Sequence, residues 1–444
     1  MRVAVLGAGL AGLAAACELA DRRHQVTVFE RRPWAGGKTY SFVERETGEQ
    51  VDNGQHIFMP CMTAYTAFLA KLGTLGFARR QRRMRVPVLD ADGRRSDLWA
   101  APLPPPLHLG PSFAAYRHLS ATDKLRVARG VLAISRLPRS ERDALQGESF
   151  GAWLRRHGAS ETALRGFWDL IVVPALNARS DAVSAAQALF VFQEGFLKSP
   201  SATAICVPAT GLSELHVAPA VRYIEARGGA VRLGTAVDRI EVGEGRVPGI
   251  ITSTGERETF DAYVAALPPR ELCAVLPESV RGLEPFASLS QYRFSPIVNL
   301  HLWFDRPLAP FVFAAFTGCE LQWLFNRRLL DRDATGPAEH LVVSLSAAEA
   351  YLGLSKRELQ ERFLPQLRRA LPRARGAKLL RCVAIKEPEA TFVAAPGLMR
   401  PGPRTPLANL VLTGAYTDTG WPATMESAVR SGQAAARSLT PPRT

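Results

Sequence analysis

The glycine string GAGLAG at residues 7–12 constrains the fold of this 444-residue chain more than any other feature. It follows an apolar stretch at residues 2–6 (RVAVL) that is typical of a short buried strand, and it opens a helical pattern that continues to about residue 21. A second β-branched stretch, residues 25–30 (QVTVFE), completes a strand–helix–strand unit. This order predicts a parallel sheet with a phosphate-binding turn after its first strand.

The three glycines of the string have separate physical roles in such a turn. Gly7 permits the tight turn, Gly9 lets a pyrophosphate approach the backbone, and Gly12 lets the helix pack closely against the strand. The start of the helix adds unpaired N–H groups and partial positive charge. Glu30 ends the second strand, where an acid binds ribose hydroxyl groups and repels the extra phosphate of NADP. The unit therefore predicts FAD or NAD as the ligand.

A second glycine pair decides between these two dinucleotides. Residues 31–38 (RRPWAGGK) place Gly36 and Gly37 soon after the acid, and a plain NAD dehydrogenase has no reason to carry such a pair. The segment resembles the ExxxxxGGR segment of flavoproteins of the amine oxidase and phytoene desaturase superfamily. The resemblance implies that FAD is the cofactor and that this segment, including Arg31, wraps its pyrophosphate and ribityl chain. Lys38 stands in place of the family's arginine, so it keeps the charge but loses the bidentate hydrogen-bond geometry.

The C-terminal region is predicted to hold the other end of the same flavin. A short strand at residues 410–413 ends at Gly414, a loop follows, and a helix runs from about residue 423 to 438 with Thr424 near its N-cap. A helix start at this point is placed to face the edge of the flavin ring, where the reduced ring carries negative charge. The two ends of the chain are therefore expected to close around one cofactor.

Four further strings resemble the squalene-associated FAD-dependent desaturases, which are understood as hydroxysqualene dehydroxylases of hopanoid biosynthesis. The resemblance covers residue 1 to about residue 437, and it implies reductive removal of the hydroxyl group of hydroxysqualene, a C30 isoprenoid, by reduced FAD. Ala415 departs from the family's pattern because an acid that binds the ribityl chain usually follows the glycine. Asp418 or a backbone group then takes over that contact, or FAD binds less tightly. The strings are residues 52–56 (DNGQH), 174–177 (PALN), 207–212 (VPATGL) and 417–432 (TDTGWPATMESAVRSG).

The predicted site residues fall into two sets, and no metal ligands are among them. Hydroxide is a poor leaving group, so the implied reaction needs a proton donor, and His56 is the first candidate because histidine titrates near neutral pH. Tyr416 and Asp418 are the other predicted catalytic residues, whereas Asp52 is expected to cap a turn. The predicted cofactor-binding set is Gly7, Gly9, Gly12, Glu30, Arg31, Gly36, Gly37, Lys38, Gly54, Val237, Gly414, Asp418, Thr424 and Met425.

The predicted fold class is α/β, with a Rossmann-like FAD-binding domain and an inserted α+β substrate domain that contains an antiparallel sheet and helices. The FAD-binding domain is assembled from residues 1–75, 205–270 and 401–444, and the substrate domain from residues 76–204 and 271–400. Helical patterns occupy residues 120–137, 150–170, 212–227 and 355–371, and strand patterns occupy residues 230–242, 250–260, 261–267, 290–306 and 320–346.

The net charge of +14 and the pI near 10.0 favour anionic partners. An arginine run at residues 79–85 lies near a proline-broken apolar stretch that contains Leu103 and Leu107, which predicts docking on an anionic membrane surface. No apolar run is long enough to span a bilayer. The six cysteines form no CxxC pair, which fits a reducing cytoplasmic compartment without a zinc site. The basic residues lack interleaved aromatic residues, which argues against nucleic acid as a partner.

Three other functions remain open at this point. A carotenoid-type desaturase would use the same fold and flavin site to oxidise a lipid where a dehydroxylase reduces one. A soluble amine oxidase usually has an aromatic pair in front of the flavin, and Tyr416 with Trp421 would supply one. A non-catalytic flavin-fold scaffold is the third alternative. The sequence does not identify the electron donor or the oligomeric state.

Overall fold

The structure, a computed structural model, describes residues 1–331 and 339–439. Its strands are β1 (Arg2–Leu6), β2 (Gln25–Glu30), β3 (Ser41–Val43), β4 (Gln50–Asp52), β5 (Ala78–Arg80), β6 (Arg85–Leu89), β7 (Arg95–Trp99), β8 (Cys206–Pro208), β9 (Ala230–Leu233), β10 (Val237–Ile240), β11 (Ile250–Thr252), β12 (Arg257–Glu258), β13 (Ala262–Ala265), β14 (Phe294–Phe304), β15 (Phe313–Phe316), β16 (Trp323–Asn326), β17 (Glu339–Ser346), β18 (Leu379–Phe392) and β19 (Leu410–Leu412). Its α-helices are α1 (Leu10–Asp21), α2 (Thr63–Lys71), α3 (Gly110–Ala114), α4 (Ala121–Arg136), α5 (Arg139–Asp143), α6 (Phe150–Arg156), α7 (Glu161–Ala163), α8 (Asp169–Leu176), α9 (Ala185–Phe190), α10 (Ala218–Glu225), α11 (Pro269–Val275), α12 (Glu278–Arg281), α13 (Arg327–Leu330), α14 (Lys356–Ala370) and α15 (Met425–Ser438).

A five-stranded parallel sheet forms the base of the cofactor region. Its strand order is β19-β13-β1-β2-β9, and every neighbouring pair is parallel. Strand β1 lies near the middle and is buried from Val3 onward, as expected for a strand covered on both faces. Helices α1, α10 and α15 contribute their apolar faces to one of the two cores that cover the sheet. The α/β class and the opening strand–helix–strand unit are therefore confirmed.

The last helix is fixed directly to the first two helices. A Cβ atom on Gly432 of α15 would lie 2.4 Å from the backbone oxygen of Ala11, so only glycine allows α15 to approach α1 this closely. The fully buried carboxylate of Glu426 accepts hydrogen bonds from the N–H groups of Ala64 (3.0 Å) and Tyr65 (2.7 Å) at the start of α2. Residues far apart in the chain thus set the position of the C-terminal helix.

A seven-stranded mixed sheet, in the order β18-β14-β17-β16-β15-β6-β7, forms the base of the second region. Side chains alternate across it, so its two faces carry different cores. One face packs against α14, and the other faces a layer that includes α4, α6, α8 and α9. The parallel sheet takes its strands from residues 2–30, 230–265 and 410–412, and this mixed sheet from residues 85–99 and 294–392. The domain boundaries themselves stay a prediction.

The structure corrects several predicted elements. Residues 230–242 form two strands in different sheets, because Gly234 (φ +68°) turns the chain between β9 and β10. Residues 150–170 do not form one helix, because α6 ends before Gly158 (φ +88°) and a π-helical turn precedes α8. The predicted strand region 320–346 contains helix α13 between β16 and β17, and its residues 332–338 lie outside the described residues. The sequence patterns missed β18, the longest strand described.

Candidate functional site

One cavity of about 1470 Å³ brings the two ends of the chain together. Gly7 and Gly9 line it from the N-terminal turn, and Gly414, Thr424 and Met425 line it from the C-terminal segment. Pockets for a single small molecule usually have volumes of about 300–1,000 Å³. The cavity therefore has room for more than one ligand, and its composition changes along its length from glycine-rich backbone to apolar side chains.

The first glycine turn has the geometry that the sequence predicts. Gly7 has a φ of +109°, and a Cβ atom there would lie 2.7 Å from the backbone oxygen of Ala266 on the neighbouring strand connection. A Cβ atom on Gly12 would lie only 2.0 Å from the oxygen of Gly7. Gly9 is the N-cap of α1, and no side chain caps the helix. The first N–H groups of α1 are therefore available to an anionic group in the cavity.

The second glycine pair packs directly on this turn. The N–H of Gly36 donates to the oxygen of Ala8 at 2.9 Å, and a Cβ atom on Gly37 would lie 3.0 Å from the α-carbon of Gly9. Gly36 and Gly37 have φ angles of +114° and +58°, which favour glycine. Two glycine turns therefore form one continuous backbone cradle at this end of the cavity, with no side chain on either turn to fill it.

The polar side chains around the cradle line the cavity, but several of them are also bonded to other protein groups. Glu30 is buried, and its carboxylate accepts from the N–H of Ala8 at 3.0 Å and from the N–H of Arg32 at 3.0 Å, so it holds the turn while lining the cavity. Arg31 also lines the cavity and lies 3.4 Å from Glu271. Lys38 donates to the backbone oxygen of Glu389, so its ammonium group already has a protein partner. Burial lowers the pKa of Lys38, and nearby carboxylates oppose that effect.

The C-terminal segment completes the cofactor end. Thr424 caps α15 by accepting from the N–H of Ser427 at 3.3 Å, so the start of α15 points toward the cavity that Thr424 and Met425 line. Ala415 also lines the cavity, whereas Asp418 does not. The backbone of Ala415 is therefore closer to the cavity than the side chain of Asp418, which is the other predicted substitute for the family's acid. The predicted Val237 lines the same cavity from β10. The cradle, the two helix starts and Glu30 fit an elongated dinucleotide with a pyrophosphate at its middle.

His56 lies where the cofactor end meets the apolar part of the cavity. Gly54, Gln55 and His56 all line it, and the Nδ1 atom of His56 lies 2.8 Å from the oxygen of Gly54. Burial lowers the pKa of His56 below its ordinary value of 6.5, although the Gly54 carbonyl and the Asp52 carboxylate raise it. A mainly neutral imidazole at neutral pH accepts a proton more readily than it donates one. Its Nε2 is the nitrogen that the Gly54 contact leaves free.

The structure does not support the roles predicted for Asp418. Its side chain is mostly exposed, pairs with Arg400 at 3.2 Å and accepts from the N–H of Gly420 at 3.0 Å. It does not belong to the described cavity lining, because these partners hold it at the surface of the loop before α15. His56 and Ala415, in contrast, both line the cavity.

Tyr416 lines the cavity but is poorly suited to donate a proton. Its ring packs against Gly414, where a Cβ atom would lie 2.4 Å from the ring, and its edge meets Tyr292. Burial raises the pKa of its hydroxyl above the ordinary value of 10.0. Within the described residues that hydroxyl has no hydrogen-bond partner. Trp421, the other member of the aromatic pair considered for an amine oxidase, also lines the cavity, and its ring packs edge-on against Phe190.

The apolar chamber lies between the mixed sheet and the helical layer above it. The sheet contributes alternate residues of neighbouring strands, and Ile297, Ser344 and Ser346 lie on the lining face. Sequence reasoning missed these residues, although the alternation in β14 and β17 marks one face of each strand. The chamber's apolar lining includes Met84, Val86, Leu98, Leu109, Phe113, Val127, Val131, Phe167, Leu170, Ile171, Phe190, Val191, Phe196, Ile205, Trp323 and Phe325.

The chamber opens to solvent beside α4. Leu107 and Leu132 both line the cavity, yet they are 61% and 41% exposed. Leu125 on the same helix is 73% exposed, and Leu103 is 41% exposed. Exposed leucines at a cavity mouth mark a surface for an apolar partner. No helix in the described part of the chain is both long and apolar enough to cross a membrane.

The parallel sheet, the double glycine cradle and the two helix starts define a flavin-binding oxidoreductase fold. Comparison with known families agrees: the family of flavin containing amine oxidoreductases matches residues 10–440. The chain belongs to that family, and FAD is its cofactor. No group of three or more side chains suited to a metal ion occurs within residues 1–331 and 339–439.

Curated relatives and solved structures extend this assignment over almost the whole chain. A probable zeta-carotene desaturase of Synechococcus elongatus is 27% identical, with 99% of this chain and 98% of that protein covered. A 15-cis-phytoene desaturase of Narcissus pseudonarcissus is also 27% identical, with 99% and 79% covered. Two solved structures share the fold at 19% identity: an oxidoreductase from Methanosarcina mazei (TM-score 0.76, 97% and 99% covered) and putrescine oxidase bound to putrescine (TM-score 0.74, 98% of each covered).

Proposed function

We propose that this protein is an FAD-dependent oxidoreductase that acts on a long isoprenoid chain, with desaturation of the carotenoid-precursor type as the leading reaction. The observation that carries the proposal is a single cavity in which a dinucleotide cradle continues into an apolar chamber that opens at exposed leucines. A chamber with a mainly apolar lining suits a hydrocarbon, and the charged Glu194 in that lining is already paired with Arg139 and Lys198. The relatives at 27% identity are named as desaturases of phytoene and zeta-carotene.

The chain's own residues have three tasks in this reaction. The double cradle, Glu30 and the start of α15 bind FAD, which supplies hydride chemistry when it is bound. The apolar walls align one segment of the substrate beside the cofactor and exclude water. Desaturation removes a hydride and a proton from adjacent carbons, and the free Nε2 of neutral His56 is placed to take the proton. The two electrons then leave to an external electron acceptor.

Reductive dehydroxylation of hydroxysqualene is the second candidate. The sequence strings that resemble hydroxysqualene dehydroxylases favour this reaction, because three of the four contribute residues to the cavity wall. Gly54 and His56 come from the first string, Pro174 and Asn177 from the second, and Trp421 and Thr424 from the last. This reaction needs a proton donor for the departing hydroxyl, and the lowered pKa of His56 suits that task less well than proton acceptance.

One experiment separates the two reactions. The FAD-loaded protein is incubated in liposomes with 15-cis-phytoene under oxidising conditions and, separately, with hydroxysqualene after anaerobic reduction of the flavin, and the lipids are identified by mass. Products that lack pairs of hydrogens support desaturation, whereas squalene supports dehydroxylation. Conversion of neither lipid, by protein that stays yellow and folded, would refute the isoprenoid assignment.

The proposal includes entry of the substrate from an anionic membrane surface. The mouth combines exposed Leu103 and Leu107 with α4, where Arg129 and Arg136 are also exposed. Apolar side chains beside basic groups match the interface of a membrane that contains anionic lipids. A protein docked there receives a water-insoluble substrate without passing it through solvent.

Liposome sedimentation tests the docking surface. The double variant Leu103→Asp/Leu107→Asp is expected to bind vesicles of anionic phospholipid at least about tenfold more weakly, because each charge must be desolvated at the interface. The matched control is Leu233→Asp/Leu380→Asp, which changes two leucines of similar exposure on strands β9 and β18. Equal binding by both double variants would refute docking through the mouth.

A further inference from the structure

A line of side chains on one face of β14 connects the cavity with the protein surface. Ile297 lines the cavity, and Asn299, His301 and Trp303 follow at alternate positions, so all four lie on the same face of the sheet. Asn299, His301 and Trp303 are at most 2% exposed. The line ends at Glu49, whose side chain is 44% exposed. Polar groups thus continue across a part of the molecule where apolar packing is the norm.

Direct contacts join the outer half of this line. Nδ1 of His301 lies 3.0 Å from Nε2 of His340, which projects from the neighbouring strand β17. Nδ1 of His340 lies 3.3 Å from Oε2 of Glu49, which is an ion-pair distance, although the contact does not have the geometry of a hydrogen bond. The indole N–H of Trp303 donates to the same oxygen at 2.7 Å, and its ring stacks on His340 with centroids 4.1 Å apart. Two imidazoles and a carboxylate are therefore held in sequence.

The inner half leads to the cofactor end of the cavity. Nε2 of His301 is buried and has no hydrogen-bond partner in residues 1–331 or 339–439, and the same holds for Oδ2 of Asp52 and Oδ1 of Asn299. The backbone of Asp52 lies close enough to the ring of His301 to oppose, in small part, the lowering of its pKa by burial. A Cβ atom on Gly54 would lie 3.4 Å from the amide nitrogen of Asn299, and Gly54 lines the cavity. His301 and Asn299 are two residues apart on β14, which corresponds to about 7 Å along the strand.

A purely structural role explains these groups poorly. A buried polar atom without a partner costs about 1–3 kcal/mol, so apolar residues would pack here at lower cost. Burial lowers the pKa of both His301 and His340, and the charge of Arg327 acts in the same direction. Both rings are therefore neutral near pH 7, and a neutral imidazole accepts a proton on one nitrogen while it donates from the other.

The charged neighbours are fixed in place. Arg327 is buried, pairs with Asp331 and lies 3.7 Å from Oδ2 of Asp52. Asp52 also accepts from the N–H of Leu212 at 2.9 Å and from the hydroxyl of Ser41 at 2.7 Å. These groups set the local field, while the histidine pair supplies the donor and acceptor atoms that are able to move a proton.

We propose that Glu49, His340 and His301 form a proton relay between solvent and the flavin end of the cavity. In the outward direction, Nε2 of His301 accepts a proton that water carries from the cavity past Gly54 and Asn299. The Nδ1 proton of His301 passes to Nε2 of His340, the Nδ1 proton of His340 passes to Glu49, and Glu49 releases a proton to solvent. One proton enters the relay and one leaves it, so the charge balances, and the inward direction reverses each transfer. The relay rests on one part of the proposed function, namely that redox chemistry at the flavin end takes up or releases protons. It does not depend on which lipid is the substrate.

The test measures proton movement without a lipid substrate. Two-electron reduction of bound FAD takes up at least one proton at neutral pH, so the FAD-loaded protein is reduced by a laser flash with a deazaflavin radical donor while a pH-indicator dye reports uptake. His301→Gln is expected to slow proton uptake roughly tenfold or more, while electron arrival at the flavin keeps its rate. His118→Gln, the matched control, makes the same substitution at a histidine that contacts Val88 and Asp90 instead of Glu49 or the histidine pair, and it is expected to leave the rate within about twofold.

Glu49→Gln gives a second measurement should His301→Gln fail to fold. The altered group lies at the solvent end, so the slowed uptake is expected to recover when imidazole buffer is added, which a loss of structure would not permit. Unchanged uptake in both variants overturns the relay, even if the wild-type protein converts phytoene. Slowed uptake with buffer rescue supports the relay, even if neither phytoene nor hydroxysqualene is converted.

Discussion

The cofactor end and the apolar end of the cavity are built by different means. The cofactor end is made of backbone: a Cβ atom on Gly37 would lie 3.0 Å from the α-carbon of Gly9, and Gly36 donates its N–H to Ala8. The apolar end is made of side chains from β-strands and helices that are far apart in the chain. The cofactor end therefore depends on a few glycine positions that tolerate no side chain, whereas the apolar end depends on the total shape and volume of its side chains.

Among the substitutions that distinguish the two ends, Gly12→Ala is expected to have the largest effect. A single methyl group at this position would lie 2.0 Å from the backbone oxygen of Gly7, so Gly12→Ala must push α1 away from the turn. We expect the variant to lose about 3 kcal/mol of unfolding free energy and to purify without yellow colour. Urea unfolding and flavin absorbance measure both effects. Gly76→Ala is the matched control, because a Cβ atom there meets nothing within 4 Å.

His56, at the junction of the two ends, is expected to give the next largest effect. His56→Gln should lower turnover about 100-fold while FAD stays bound, because only proton transfer is lost. In the wild-type protein the neutral ring is the active form, and burial lowers its pKa below 6.5. Turnover should therefore be constant above that value and fall only as the pH drops through the lowered pKa. A pH profile with its acid limb above 6.5, or full turnover by the variant, would contradict this role.

A bulky residue in the apolar end should affect the substrate but not the cofactor. Val131→Trp places a large ring in the chamber wall near the mouth and is expected to lower turnover of a long isoprenoid roughly tenfold, with FAD affinity unchanged. Leu125→Trp on the same helix is the control, because Leu125 is exposed and lies outside the cavity lining. Equal turnover by both variants would show that this wall does not contact the substrate.

Lys38 gives the smallest expected effect, despite its place in the family segment. Its ammonium group donates to the backbone oxygen of Glu389 and lies 5.3 Å from the centre of the Phe294 ring. Lys38→Arg keeps a cation that is able to make both contacts, so FAD affinity should change by less than about threefold. Fluorescence titration with FAD measures the change. A gain of tenfold or more would mean that the arginine fork reaches the cofactor directly.

The sequence predicted the cofactor end well because its geometry is encoded in short strings. Gly7, Gly36 and Glu30 each have a local reason for their residue type, and that reason is visible without knowledge of distant partners. Asp418 lies outside the described cavity lining for the complementary reason. Spacing brought it near the glycine strand, but its ion pair with Arg400 turns it to the surface, and no local pattern reveals that partner.

The apolar end was less predictable, because its walls meet only in the folded chain. Strand β18 carries several charged residues and was missed by a search for apolar alternation, although it pairs with β14 over most of its length. Residues 230–242 alternate like one strand, yet Gly234 divides them between two sheets. The polar line from Asn299 to Glu49 was also missed, because its members become neighbours only through the register of β14 and β17.

The close fit of α15 against α1 has a consequence for how the protein matures. Because α1 precedes α15 by about 400 residues in the chain, the ribosome synthesises the glycine turn well before the segment that contains Gly432 and Glu426. The glycine turn and α1 therefore leave the exit tunnel without the helix that covers them, and they must stay unaggregated until α15 has been synthesised. Flavin incorporation thus becomes a late event, and premature termination before α15 is expected to produce a polypeptide that cannot retain its pigment.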